Sequence, residues 1–351
     1  MTELTAILQG QIARSGPISV AEFMTQCLLH PEHGYYTTHQ PLGAAGDFVT
    51  APEISQMFGE MLGLCLAQAW LDQGAPAAFT LAELGPGRGT LMADILHATR
   101  GVAGFHPAAN IVLVEASPSL RTVQQKTLQG YDVAWVQTVT ELPRCPLFLV
   151  ANEFFDCLPI NQYIRTDNGW QEQMITAKDG ALGFMLGRAA PVELFEDAPL
   201  GTVLETCPAA AAITADIARI IAAHGGAALV LDYGERQPTG DTFQAVQNHQ
   251  KVDPLQNCGA ADLTAHVNFR ALENAANAFA QTAPLTAQGV LLERLGITAR
   301  AQSLAARLHG GALENHIAAH RRLTHPDEMG QLFKAIAITP KGAAKPAGFD
   351  T

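Results

Sequence analysis

The sequence predicts an α/β fold: a mostly parallel sheet with helices on both faces, an N-terminal helical extension, inserted β-hairpins and an added helical region. Three observations predict it. From residue 79 onward short apolar runs alternate with helical periods, the texture of a parallel sheet covered on both faces. Residues 160–206 break that rhythm, with apolar–polar alternation at Tyr163, Trp170, Met174, Leu182, Phe184 and Leu186 around Asp-Asn-Gly and Lys-Asp-Gly turns, as antiparallel hairpins do. The composition is globular, because 351 residues with 48% apolar and 15% charged side chains exclude disordered, collagen-like and coiled-coil chains.

Taken in order, residues 1–76 read as an N-terminal helical or lid region. Ser19-x-x-Glu22 is a capping box before Phe23, Cys27 and Leu28, and Thr50-x-x-Glu53 reads as a second one. The second is expected to open a helix whose Ile54, Met57, Phe58, Met61, Leu62 and Cys65 form one core-facing stripe. Between the two boxes lies a loop rich in turn and aromatic residues, from His30 through Gly43 to Phe48. Residues 77–159 form the first half of the core, with strands over 79–84, 111–114, 133–136 and 147–151 and helices over 90–99 and 119–128. The hairpin region of 160–206 is inserted, and 207–282 is the second half of the core, with a helix over 209–223 and a strand over 227–232. A helical substrate-side region covers 283–330, and 331–351 is a closing strand, near 332–338, with a tail.

Twenty-one basic against 33 acidic residues give a net charge of −12, which repels a phosphate backbone. Nucleic acid is therefore a poor partner, and a basic protein or peptide a better one. The six cysteines lie singly, with no C-x-x-C, and read as buried thiols of a reducing compartment. The first residues show no export or organelle signal, and no apolar run reaches the roughly 20 residues of a membrane span, so a soluble cytoplasmic protein is expected. His30-x-x-His33 and His316-x-x-x-His320 lack a third ligand nearby, so no metal is expected. His249 and His266 could line an acceptor site, although such histidines more often satisfy backbone groups. Arg294, Arg300, Arg307, Arg321 and Arg322 stand against Glu314 in a locally basic stretch, by default a solvated face and alternatively a dock for an acidic partner. Oligomeric state is not legible.

The sharpest signal is Ala82-Glu-Leu-Gly-Pro-Gly-Arg-Gly-Thr90, where the first core strand should end and a helix begin. Gly85, Gly87 and Gly89 allow positive φ and let a ligand approach the backbone, while the next helix offers free N–H groups. A dinucleotide loop wants G-x-G-x-x-G, and here the last glycine comes one residue early. That spacing after an acid, Glu83, is typical of the loop that holds S-adenosylmethionine in class I methyltransferases. Glu115 ends the second strand and could take both ribose hydroxyls on a carboxylate with about four acceptor sites. Asn152, Glu153 and Asp156 follow the fourth strand, at the edge where α/β sheets bind ligands. Carboxylates beside Phe154 and Phe155 suit a guanidinium, through charge-assisted bonds and cation–π contact. Such an acceptor must also lose a proton, for which Glu153 is the first candidate and Asp156 the second. The same residues could instead be turn formers and core aromatics.

With these segments assembled, the sequence resembles the MidA-like family, whose mitochondrial member is a complex I assembly factor and protein-arginine methyltransferase. The matching stretches run from Gly46-Asp-Phe-Val-Thr-Ala-Pro-Glu-Ile-Ser-Gln-Met-Phe-Gly59 through Glu83 to Thr90, Leu113-Val-Glu-Ala-Ser-Pro118 and Ala151-Asn-Glu-Phe-Phe-Asp156 with Leu158-Pro159. Leu231-Asp-Tyr-Gly234 and Gly259-Ala-Ala-Asp-Leu-Thr264 complete the set. The resemblance implies a class I methyltransferase (Rossmann-like) core, S-adenosyl-L-methionine as cofactor, and symmetric dimethylation of an arginine on a complex I core subunit during respiratory complex assembly. It also implies that Gly85, Pro86, Gly87, Gly89, Thr90 and Glu115 bind the cofactor, with Asp47, Thr50 and Glu53 of the N-terminal signature closing over it, although a capping box explains Thr50 and Glu53 without a ligand. Asn152, Glu153 and Asp156 are then the catalytic candidates. Asn248-His-Gln-Lys-Val-Asp253 is close to the family pattern, and the following Pro-Leu-Gln-Asn-Cys258 is less regular. Two other readings stand beside this one. A small-molecule or amide N-methyltransferase also places Asn before aromatics, with two prolines this chain lacks; a cofactor-binding assembly factor would turn over only incidentally.

Overall fold

The computed structural model describes residues 2–38, 50–190 and 198–349, and these fall into two compact units. One comprises the described residues of 1–48, 156–210 and 237–268; the other those of 49–155, 211–236 and 269–351. The expected alternation of strands and helices is present in the second unit and the expected hairpins in the first.

In the first unit, helix Glu3–Ser15 is capped by Thr2, and helix Val20–Leu29 by Ser19, whose Oγ accepts the Glu22 amide at 3.0 Å. Strands Asn161–Thr166, Gly169–Lys178, Ala181–Ala189 and Val203–Thr206 form antiparallel pairs. A small sheet joins Gln244–Gln247 to Gln250–Val252 and Asp262–Thr264. Leu4, Leu8, Ile12, Phe23, Met24, Ile160, Ile175 and Leu263 pack into its core.

The second unit is built on a sheet whose strands we number β1 (Phe79–Leu84), β2 (Ala109–Val114), β3 (Val133–Val136), β4 (Leu147–Asn152), β5 (Gly226–Glu235) and β6 (Phe333–Thr339). Their spatial order is β6-β5-β4-β1-β2-β3, parallel throughout except for β6, which runs antiparallel to β5. Every residue of β1, β4 and β6 is buried, which explains why they read as unbroken apolar runs. Helices α1 (Ala51–Ile54), α2 (Gln56–Asp72), α3 (Thr90–Ala98) and α4 (Pro118–Thr127) belong to the same unit. Trp70 of α2 meets Phe105 edge-on at 5.4 Å, and Phe79 of β1 meets Phe148 of β4 in the same way at 5.2 Å. Because β1, β2, β4 and β5 are parallel, their carboxyl ends lie along one edge.

The second capping box is not formed. Thr50 makes no side-chain cap bond, α1 is a single short turn, and the long helix α2 starts only at Gln56, where Ser55 Oγ accepts the Met57 amide at 3.3 Å. Ser55 is fully extended (φ −162°), which separates the two helices, and Glu53 turns away from Thr50 to accept the Thr90 hydroxyl at 2.5 Å. The six cysteines carry free thiols. Among the described residues no helix is long and apolar enough to cross a membrane.

Candidate functional site

Each sheet ladder runs one step past its strand and then releases the chain. Gly85 N–H bonds Val114 O at 3.1 Å, Glu115 N–H bonds Val136 O at 3.0 Å, and Glu153 N–H bonds Leu231 O at 3.0 Å. At Gly85 and at Glu153 the chain then enters the left-handed region. Gly85, Gly87 and Gly89 have φ of 57°, 52° and 82°, and Gly89, accepted by Pro86 O at 2.7 Å, caps α3 in the left-handed region. These values are costly for any side chain, which is why glycine recurs here. Gly89 has no side chain with which to cap α3, and in the first turn the Glu83 carboxyl accepts from the Met92 amide, which leaves the amides of Thr90 and Leu91 nearest the loop.

Glu115 is buried, and its carboxylate accepts Ser117 N–H at 2.7 Å and Gln124 Nε2 at 3.0 Å. Burial pushes its carboxyl up, and these donors pull it part of the way back. Gln124 was not singled out from the sequence. From α4 it also donates to Gly87 O at 2.9 Å, while its Oε1 accepts the Trp135 indole N–H at 2.8 Å, so one amide ties the glycine loop to Glu115.

Acidic groups crowd behind the loop. Burial drives the Glu83 carboxyl up to about 8, with added repulsion from Asp94 and Glu115. Asp94 on α3 is raised to about 7 by burial and by Glu60 and Glu53. Glu60 is paired bidentately with Arg300 at 2.7 and 2.8 Å, whereas Arg88 reaches Glu53 only at 3.9 Å. Glu83 Oε2, Asp94 Oδ2 and Asn152 Oδ1 are buried acceptors without a hydrogen-bond partner among the described residues. Orphaned polar atoms at the ends of β1 and β4 fit a ligand that brings hydrogen-bonding groups of its own.

Past β4, Asn152 Nδ2 donates to Glu153 Oε1 at 2.9 Å, and the same oxygen accepts the Ala51 amide at the start of α1, also at 2.9 Å. Glu153 has a φ of 51°, unusual for a residue with a side chain. Phe154 packs toward the loop, since a Cβ built on Gly85 would lie 2.8 Å from its Cδ2. Asp232, fully buried on β5, was quoted from the sequence but given no role; its Oδ2 accepts the amides of Phe154 at 3.1 Å and Phe155 at 2.9 Å.

Of the expected cofactor residues, Gly85, Pro86, Gly87, Gly89, Thr90 and Glu115 are brought together, with Asn152 and Glu153 on the neighbouring strand end. Thr50 directly precedes α1, where its carbonyl accepts the Glu53 and Ile54 amides. Asp47 lies outside the described residues. Asp156 belongs to the other unit, where it is buried, its carbonyl accepts Ala265 N–H at 2.9 Å, and its charge helps to hold the Tyr36 hydroxyl up, behind burial and Asp262.

Residues 61–287 match a family model described as S-adenosyl-L-methionine-dependent methyltransferase. Among curated proteins, the chain is 35% identical to "Protein arginine methyltransferase NDUFAF7, mitochondrial" of Xenopus tropicalis, over 95% of this chain and 85% of that one. It is 34% identical to the protein of the same name of Homo sapiens, over 97% and 84%. A solved structure from Burkholderia thailandensis with S-adenosyl-homocysteine bound superposes with a TM-score of 0.85 at 30% identity, covering 99% of this chain and 94% of that chain. Both relatives are named as mitochondrial proteins, and that finding overturns the cytoplasmic expectation.

Proposed function

The chain belongs to the MidA-like family of S-adenosyl-L-methionine-dependent methyltransferases, and from that premise we propose that it methylates an arginine side chain of a protein partner. The observation that carries this reading is Glu153, a carboxylate set just past the end of β4, on the same sheet edge as the glycine loop and Glu115. The relatives named as protein arginine methyltransferases support the acceptor class.

In this reading the Gly85–Gly89 loop, Pro86, Thr90 and the first amides of α3 hold the methionine end of the cofactor, and Glu115 holds the ribose. The orphaned oxygen of Glu83 suits a ligand that brings a hydrogen-bonding group. When bound, S-adenosylmethionine supplies an electrophilic methyl on a sulfonium and departs as S-adenosylhomocysteine. Glu153 accepts the proton that the guanidinium nitrogen gives up as its bond to the methyl forms, so that the product arginine keeps its single positive charge. Asn152, bonded to Glu153 Oε1, orients that carboxylate. The finer proposal is symmetric dimethylation of an arginine on a subunit of the complex I core type, during respiratory complex assembly.

The test is transfer of tritiated methyl from S-adenosylmethionine by the purified protein into extract from cells lacking it, followed by hydrolysis and identification of the labelled residue. Label recovered as methylarginine in a protein band is expected. Label confined to small molecules would replace the reading with a small-molecule N-methyltransferase. No label despite cofactor binding would replace it with a cofactor-binding assembly factor.

A further inference from the structure

The structure assigns Asp232 as a positioning residue that holds the Asn152–Phe155 turn in its working shape. This rests on Glu153 being the proton acceptor. The β4–β5 ladder ends with the bond from Glu153 N–H to Leu231 O, after which the backbone enters the left-handed region at Glu153, with a φ of 51°. A glutamate gains nothing intrinsic from that conformation, so its surroundings must impose it. The next two amides, of Phe154 and Phe155, converge on one oxygen of Asp232, at 3.1 and 2.9 Å. The other oxygen accepts the Tyr233 amide at 2.9 Å. Successive N–H groups following a left-handed residue form a concave anion site, and here the anion is supplied by the protein itself.

Asp232 has no exposed surface and sits on a central strand opposite Lys334, whose ammonium is turned elsewhere, to the carbonyls of Gln331 and Gly234 and to the Glu235 carboxylate. The carboxylate therefore receives backbone amides from two segments. One bears Glu153, and Phe154 on it also packs toward Gly85, so the same clamp reaches the glycine loop from behind. Removing it frees the turn to leave the left-handed conformation. Glu153 Oε1 then loses its place beside Asn152 Nδ2 and the Ala51 amide.

The test combines Asp232→Asn, Glu153→Gln and the double variant, read by the initial rate of tritiated methyl transfer into protein of the deficient extract at saturating S-adenosylmethionine, and by titration with S-adenosylhomocysteine. Asp232→Asn keeps the shape but turns an amide N–H toward backbone donors. It is expected to slow transfer by about 30-fold or more while weakening S-adenosylhomocysteine by no more than about 3-fold. In the Glu153→Gln background the same change is expected to cost less than about 2-fold, because it acts through the group already removed. An equal loss in both backgrounds, or near-normal transfer by a folded Asp232→Asn protein, overturns the assignment. Full activity of Glu153→Gln alone overturns the proton-acceptor reading instead, so the two failures are distinct. Should Asp232→Asn not fold, amide hydrogen exchange on the unaltered protein decides. Protected Phe154 and Phe155 amides are expected, and exchange at the rate of an open loop overturns the clamp.

Discussion

At the scale of single residues, the glycine loop makes the strictest demands. Gly87 has a φ of 52°, and a β-branched valine there would be strained out of the turn. Gly87→Val is expected to weaken S-adenosylhomocysteine by about 100-fold or more, and unchanged affinity by calorimetry would remove the loop from the cofactor site. Gly85→Ala is a different kind of test, because its Cβ would meet Phe154 Cδ2 at 2.8 Å rather than the ligand. Glu115→Ala removes an acceptor from Ser117 and Gln124 as well as from a ribose. Losing hydrogen bonds to a charged group costs about 1.5–3 kcal/mol each, so binding should weaken by about 10–100-fold. A change under about 2-fold, with Gln124 still ordered, would show that the ribose is held elsewhere.

At the scale of elements, β1 and α3 place two carboxylates where water cannot reach them well. Glu83 keeps its proton up to about pH 8, against an ordinary value of 4.5, and Asp94 behaves in the same direction, reaching about 7. Between 4.5 and about 8 the folded chain thus binds a proton that the unfolded chain has lost, and stability falls as pH rises across that window. Glu83→Gln removes one such proton, so its Tm relative to the unaltered protein should climb between about pH 5 and pH 8 by on the order of 5 °C. A gap independent of pH would mean that Glu83 titrates normally. The loop, the strands and Glu115 were legible because glycine spacing and continuous apolar runs are local signals. The failure at Thr50 shows the limit: a capping box needs Glu53 to fold back, and a hydroxyl 37 positions away at Thr90 holds it instead. Gln124 and the role of Asp232 were not legible for the same reason, since each acts through a partner distant in sequence that no spacing rule encodes. The carbonyl and carboxylate held by Gln124 belong to two different strand ends.

At the scale of the whole molecule, charge is the property with functional reach. The net charge is −12, and the arginines of the basic stretch do not offset it outward as a block. Arg300 is bound to Glu60, Arg321 to Glu328, and Arg294 to the Gly348 carbonyl. Three of the five arginines of that stretch therefore bond within the chain, and the net charge of −12 gives the protein a long-range attraction for cations. An arginine acceptor set among basic neighbours should therefore be captured faster than one set among acids. With two peptides of equal length, arginine flanked by lysines or by glutamates, kcat/KM is expected to favour the first by about tenfold near 0.05 M salt. The advantage should shrink to about 2-fold near 0.5 M, where the screening length falls below the span of the flanking charges. Equal rates at both salts would mean that the acceptor is selected by contacts at the arginine alone, with no contribution from the field of the protein.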